Sequence, residues 1–400
     1  MDAWIYDTVR TPRGAGRDKG SLAGVKPLAL TAGLYRALQQ RLDFDPALVA
    51  DVVLGCVTQF GDQGTNPARI SVLYAGWPDT VAGITVNRFC TSALDACHLA
   101  ALKVSAGGEQ FAIGGGVESM SRVPMFSDEG AWLKDKEVMR RTAFTPLGIS
   151  ADLVASLDGI TRDAADAYAL RSQQRAAAAR ESGRFERSLV PVTDADGNVV
   201  LDRDETIRAD SSAEKLAGLP PAFAELGAKG VDKAVLARYP GLERIDHVHT
   251  VGNSPAMADG AALALIGTRA AGEAAGLAPR ARVVAAATAA ADPVIMLTAG
   301  ETAARRALEQ AGIAADALDV IECNEAFAAP TLRFQREFGL DDERFNVNGG
   351  AIAFGHPMGA TGAMLLASVI DELERRDGRY GLVAVAGGGG LGTAMVVERA

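Results

Sequence analysis

The chain has 400 residues, room for two or three domains at roughly 150 residues each. Lys and Arg number 40 against 50 Asp and Glu, a net charge of −10, which argues against a general nucleic-acid binder with its basic excess. Hydrophobic residues at 48% and charged residues at 22% exclude a disordered chain.

No apolar run approaches the ~18 residues that span a bilayer, so no membrane partner is expected. The opening Met1-Asp2-Ala3-Trp4-Ile5-Tyr6-Asp7 has no basic n-region and no apolar h-region. Cysteines stand at 56, 90, 97 and 323, with no Cys-x-x-Cys and no Cys/His spacing of a zinc site. Reduced thiols in a cytoplasm and no metal are the expectation.

In chain order, Asp51–Gly55 reads as a short buried strand. A strand ends near Val86, and an Ala-rich helix begins near Thr91. Phe111-Ala112-Ile113 runs into Gly114-Gly115-Gly116. From 121 to about 245 the chain turns polar and holds one strong helix, about Asp163–Arg180, with Thr161 as its N-cap. A hairpin-like turn follows at Asp194-Ala195-Asp196-Gly197-Asn198, then a polar segment with Pro220-Pro221. Asp319–Cys323 reads as a second buried strand, and Val347-Asn348 leads into a Gly-rich helix start. Leu382–Val385 runs into the terminal glycine run. Three early marks thus recur late in the same order, at offsets of 268, 261 and 274 residues. That regularity predicts a duplicated α/β unit, with 121–245 as an inserted excursion over it.

Cys90 follows Val86-Asn87-Arg88-Phe89, so its thiol lies at a helix N-terminus. The positive end of the dipole favours a thiolate there, and a thiolate is a nucleophile. A buried structural cysteine fits the same position. Cys97, seven residues on, belongs to packing. His356 sits among glycines in Gly355-His356-Pro357-Met358-Gly359, where an imidazole suits a base for a thiol proton. A satisfied turn histidine is the plainer reading. Asn324 follows a strand, where an amide can hold a water or an oxyanion. The Gly387–Gly392 run offers closely approaching backbone N–H groups.

Taken together, these segments resemble the thiolase family over nearly the whole length. The resemblance rests on Val9-Arg10-Thr11-Pro12, the block around Cys90, and Gly252-Asn253-Ser254 with Asp259-Gly260-Ala261. Asn324-Glu325-Ala326-Phe327, Gly355-His356-Pro357 and the terminal glycine run complete it in family order. The Asn-Glu-Ala-Phe segment separates the chain from ketoacyl synthases. The resemblance implies a duplicated five-layered αβαβα fold with an inserted loop domain. The corresponding boundaries are 1–120 plus 246–270, 121–245, and 271–400.

It also implies acyl transfer, by thiolytic cleavage of a 3-ketoacyl-CoA or the reverse condensation, as in fatty-acid β-oxidation. CoA and acyl-CoA are substrates, no cofactor is needed, and the assembly is a homodimer or homotetramer. Cys90 would carry the acyl group and His356 would take its proton. The Cys90 and Gly388 N–H groups would hold the acyl oxyanion. His356 and a water on Asn324 would hold the other thioester's oxygen. Leu147, Ser254, Pro255, Met296, Ala326 and Phe327 are the substrate- and CoA-binding positions.

The chain also departs from the family. Ala386 stands where the family has a second cysteine, the acid/base of the carbon–carbon step, and a methyl group moves no proton. An engineered replacement, another base, or a non-catalytic acyl-CoA-binding or scaffold subunit would each account for it. Cys323 adjoins Asn324 and should point away from the site. Pro255-Ala256 replace a common Ser-Gly, Pro146-Leu147 replace His-Met, and Pro220 replaces a basic residue. Met296 fits the acyl-pocket loop. These departures favour a larger or branched 3-ketoacyl-CoA over acetoacetyl-CoA.

Overall fold

Nine runs rich in Val, Ile, Leu and Ala set the frame of the computed structural model, which describes residues 1–400. They are β1 (Trp4–Arg10), β2 (Val49–Gly55), β3 (Ala82–Val86), β4 (Phe111–Ser119) and β5 (Ala258–Gly267), then β6 (Ala281–Ala290), β7 (Val320–Cys323), β8 (Tyr380–Gly387) and β9 (Leu391–Arg399). Their order is β7-β8-β9-β6-β1-β5-β4-β2-β3, and the short piece Gly14–Ala15 pairs with β5 as a tenth strand. The middle of this path is thin. β1 and β6 share only the pairs Trp4↔Arg282 and Ile5↔Ala281, so the path consists of two joined half-sheets.

The half-sheets repeat one topology. In the first, β2 is parallel to both β3 and β4, while β4, β5 and β1 run antiparallel in turn. In the second, β7 is parallel to β8, and β8, β9 and β6 run antiparallel. A parallel bridge from Ile321 to Phe345 stands where β3 stands beside β2. The register fixes the repeat. Val53 faces Ile84 and Gly114, and Ile321 faces Phe345 and Leu382, offsets of 268, 261 and 268 residues. The expected third offset of 274 is therefore a correction. Gly114–Gly116 lie inside β4, whereas Gly388–Gly390 form a turn beyond β8, so the two runs are not equivalent.

Strands buried on both faces need helices on both faces. Along β8, Leu382 and Ala384 join the outer core while Val383 and Val385 join the central one. Helices Pro27–Leu42 and Pro67–Tyr74 cover the outside of the first half-sheet. Ala299–Ala311 and Ala328–Glu337 cover the outside of the second. Ser92–Ser105 and Thr361–Arg376 fill the space between the half-sheets, which completes five αβαβα layers. Small residues make that middle layer thin enough. A Cβ on Gly362 would lie 2.5 Å from the Leu94 nitrogen, so the two central helices touch backbone to backbone there.

The excursion leaves after β4 and returns at β5. Its main helix is Arg162–Glu181, and Thr161 Oγ1 accepts the Ala164 N–H at 3.2 Å as its cap. The turn at 194–198 closes a small ribbon, Val192–Thr193 with Val199–Leu201. Two buried carboxylates hold the excursion down. Asp204 takes Arg10 in a bidentate pair at 2.9 and 3.0 Å and also accepts the Arg13 N–H. Glu325 accepts from Tyr168 Oη and Ser172 Oγ, both at 2.8 Å, and from the Ile352 N–H at 3.0 Å. No helix is long and apolar enough to cross a membrane.

Candidate active site

Cys90 sits at a corner between β3 and a central helix. The corner is strained, with Phe89 at φ 50° in the left-handed region. Local polar bonds hold it: Asn87 Oδ1 accepts the Phe89 N–H at 2.9 Å, and Ser92 Oγ accepts the Arg88 N–H at 2.8 Å. The thiol is only 5% exposed. Burial pushes it up to about 12, the Glu118 charge adds to this, and the N–H groups of Gly388 and of Cys90 itself oppose it. The thiolate expected from the helix terminus is thus not the resting form. Desolvation outweighs the partial charges of the helix end.

Glu118 braces the neighbourhood. Its carboxylate accepts from the Val57 and Gly359 N–H groups at 2.9 Å, from Thr58 N–H at 3.1 Å and from Gln63 Nε2 at 2.8 Å. The loop after β2 is thereby tied to the loop that carries His356. His356 itself is placed by Gly355 at φ 85° and by a bond from its N–H to the Ala256 carbonyl at 2.8 Å. Thr361 Oγ1 donates to the Pro357 carbonyl at 3.0 Å and therefore accepts the Nδ1–H of His356 at 2.7 Å. That tautomer leaves Nε2 as the basic atom, and Nε2 is buried without a partner. Burial pushes the imidazole down to about 4, and the charge of Arg13 adds to this. His356 is neutral at pH 7 and can accept a proton.

Asn324 follows β7, and its N–H donates to the Ala384 carbonyl of β8 at 2.9 Å. Both polar atoms of its side chain are buried and unpaired, as is Ser254 Oγ. Folded chains rarely leave such atoms unpaired. Ala386 pairs with Gly392 near the end of β8. Cys323 lies in the outer core behind the second half-sheet, where burial raises its thiol well above the ordinary value.

Cys90, His356, Gly388, Leu147, Pro255, Met296, Ala326 and Phe327 line one chamber of about 210 Å³. A more open cleft of about 1020 Å³ shares Leu147, Pro255 and Phe327 with it and adds Ser254. Asn324 and Ala386 are buried and are not among the lining residues of either space. Several contributors carried no signal in the sequence. Thr361 acts on His356 from five residues on, Arg13 acts on it from the far end of the chain, and Trp132 and Phe144 come from the polar excursion. No group of three or more His, Cys, Asp or Glu is placed to hold a metal ion.

Fold and chamber define a duplicated α/β protein with a buried cysteine and histidine at the junction of its halves. The thiolase N-terminal domain matches residues 3–231, and the thiolase C-terminal domain matches residues 277–399. The chain belongs to the thiolase family. Among its relatives, a beta-ketoadipyl-CoA thiolase of Escherichia coli is 40% identical over 100% of this chain and 99% of that protein. A steroid 3-ketoacyl-CoA thiolase of Mycobacterium tuberculosis is 36% identical, over 100% of this chain and 94% of its own. The crystal structure of the Bacillus anthracis acetyl-CoA acetyltransferase superposes with a TM-score of 0.86 at 34% identity, covering 100% of this chain and 98% of that one.

Proposed function

We propose that the chain is a thiolase-type acyl-CoA C-acyltransferase that works through an acyl-Cys90 intermediate. The observation that carries this reading is the shared chamber: the Cys90 thiol, the His356 imidazole with its unpaired Nε2, and the Gly388 turn. In thiolysis, Cys90 Sγ attacks the keto carbonyl and gives its proton to His356 Nε2. The Cys90 and Gly388 N–H groups stabilise the oxyanion, typically by a few kcal/mol. The bond between the α-carbon and the keto carbon then breaks, leaving the acyl group on sulfur and an acetyl-CoA enolate. His356 and a water on Asn324 hold the enolate oxygen. CoA thiol finally takes the acyl group from Cys90. Ser254 and the open cleft receive pantetheine.

The enolate must be protonated, and Ala386 offers no proton. Loss of such a group costs about 10²–10⁴-fold, so the carbon–carbon step is impaired while acylation of Cys90 by a plain acyl-CoA thioester, which breaks no carbon–carbon bond, is not. Ala386 also favours a second reading, a non-catalytic acyl-CoA-binding subunit beside an active partner. Four free buried cysteines fit a reducing cytoplasm, and an apolar edge at β3 fits a homo-oligomer.

The test is intact-protein mass after incubation with acyl-CoAs from acetyl to ring-bearing. We expect a gain of one acyl group that disappears in Cys90→Ser. Ala386→Cys should then raise thiolytic turnover by about 10²–10⁴-fold. No adduct despite measurable CoA binding would overturn the acyltransferase reading in favour of the scaffold.

A further inference from the structure

We infer that the acyl group taken by this site is uncharged and carries a single flat ring, an inference that rests on the acyl-transfer reading above. The two connected spaces differ in chemistry. The open cleft bears two basic side chains, Arg17 and Arg208, which suit the phosphates of CoA, and one carboxylate, Glu205, which is engaged by the Ala15 and Ser21 N–H groups. The chamber around Cys90 has no Lys or Arg in its lining. Its one carboxylate, Asp128, is exposed at the rim. A thioester entering from the cleft therefore points its acyl chain away from the basic end. An acyl chain ending in a carboxylate would be desolvated there with no cation to meet it.

Phe89 and Trp132 line the chamber and not the cleft. The Phe89 and Trp132 rings stack with centroids 5.4 Å apart and planes within 3°. Phe144, which lines both spaces, packs against Trp132 at 5.6 Å and 55°. Gly389, at φ 69°, makes room for the indole, since a Cβ there would lie 2.7 Å from Trp132. Met120, Met125 and Met296 also line the chamber and offer soft, polarisable contacts to a flat guest. Size points the same way. An apolar cavity of about 150 Å³ holds benzene, so the 210 Å³ here holds one ring with a short linker.

The experiment compares initial rates of Cys90 acylation by acetyl-, hexanoyl-, phenylacetyl- and adipyl-CoA, read by intact mass. Phenylacetyl-CoA should exceed adipyl-CoA by about tenfold or more, with hexanoyl-CoA between them. Trp132→Ala should lower the ratio of phenylacetyl to acetyl rates by about tenfold. If that variant does not fold, Phe144→Leu and the wild-type dissociation constants for hexanoyl- and adipyl-CoA test the same preference. Adipyl-CoA reacting and binding as well as hexanoyl-CoA, or a ratio unmoved by the aromatic substitutions, would overturn the inference and leave acyl transfer standing. No acylation by any thioester, acetyl included, would overturn the acyl-transfer reading and this assignment with it.

Discussion

A single hydroxyl decides which nitrogen of His356 is basic. Because Thr361 Oγ1 spends its proton on the Pro357 carbonyl, the imidazole must donate through Nδ1. Thr361→Val keeps the shape but leaves Nδ1 unpaired and the tautomer free. Acylation by acetyl-CoA should fall by about 10²-fold, and Thr361→Ser should recover most of it. A purely packing role for Thr361 would leave Thr361→Val at the wild-type rate and make Thr361→Ser the slower variant. The resting protonation is also set locally. Cys90 is held up at about 12 and His356 down at about 4, each by burial first, so thiol and imidazole are both neutral between those values. The thiolate fraction of a raised thiol grows tenfold per pH unit. Alkylation of Cys90 by iodoacetamide without acyl-CoA should therefore climb by about tenfold per unit from pH 7 to 10. A plateau below pH 8 would mean a preformed thiolate–imidazolium pair.

At the scale of elements, the clearest unfinished surface is the edge strand β3. It ends the sheet path, and Ile84 on it is 47% exposed. Ile70, Leu73 and Tyr74 on the adjoining helix Pro67–Tyr74 are exposed as well. An open apolar edge is a template for another strand, and a second copy of this chain would cover it. Light scattering should then give a multiple of 41.5 kDa for the wild type, and Ile84→Lys should shift the population towards monomer. A monomeric wild type would remove the homo-oligomer proposal. Elements of this kind were largely legible in the sequence. The strand read at Asp51–Gly55 spans Val49–Gly55, and the helix read at about 163–180 spans Arg162–Glu181, because apolar runs and an N-cap are local signals. Register was only partly legible. Strand spacing carried the offsets of 268 and 261, but the glycine runs were matched as letters, and hydrogen-bond pairing places them differently.

Across the whole molecule, residues far apart in sequence meet at one chamber. Cys90 and His356 stood out by their turns, with structural roles left open, and Gly388 was named through the resemblance to the thiolase family. Phe89, Trp132 and Phe144 could not be named beforehand, since ring stacking between a turn and an excursion has no spacing rule. The protonation of Cys90 was also out of reach. Its sign depends on burial, which competes with the helix end and is a property of the assembled layers.

The duplicated architecture has a consequence for how activity is lost. Cys90 belongs to the first copy of the repeat, His356 and Gly388 to the second, and the copies meet at a two-pair strand ladder, a central helical layer and side-chain bonds such as that from the Gly359 N–H to Glu118. On the acyl-transfer reading, a copy undocked from the other would not hold Cys90, His356 and Gly388 together. Turnover thus behaves as an assay for docking between two halves of one polypeptide, and mild denaturant should silence it before the secondary-structure signal fades.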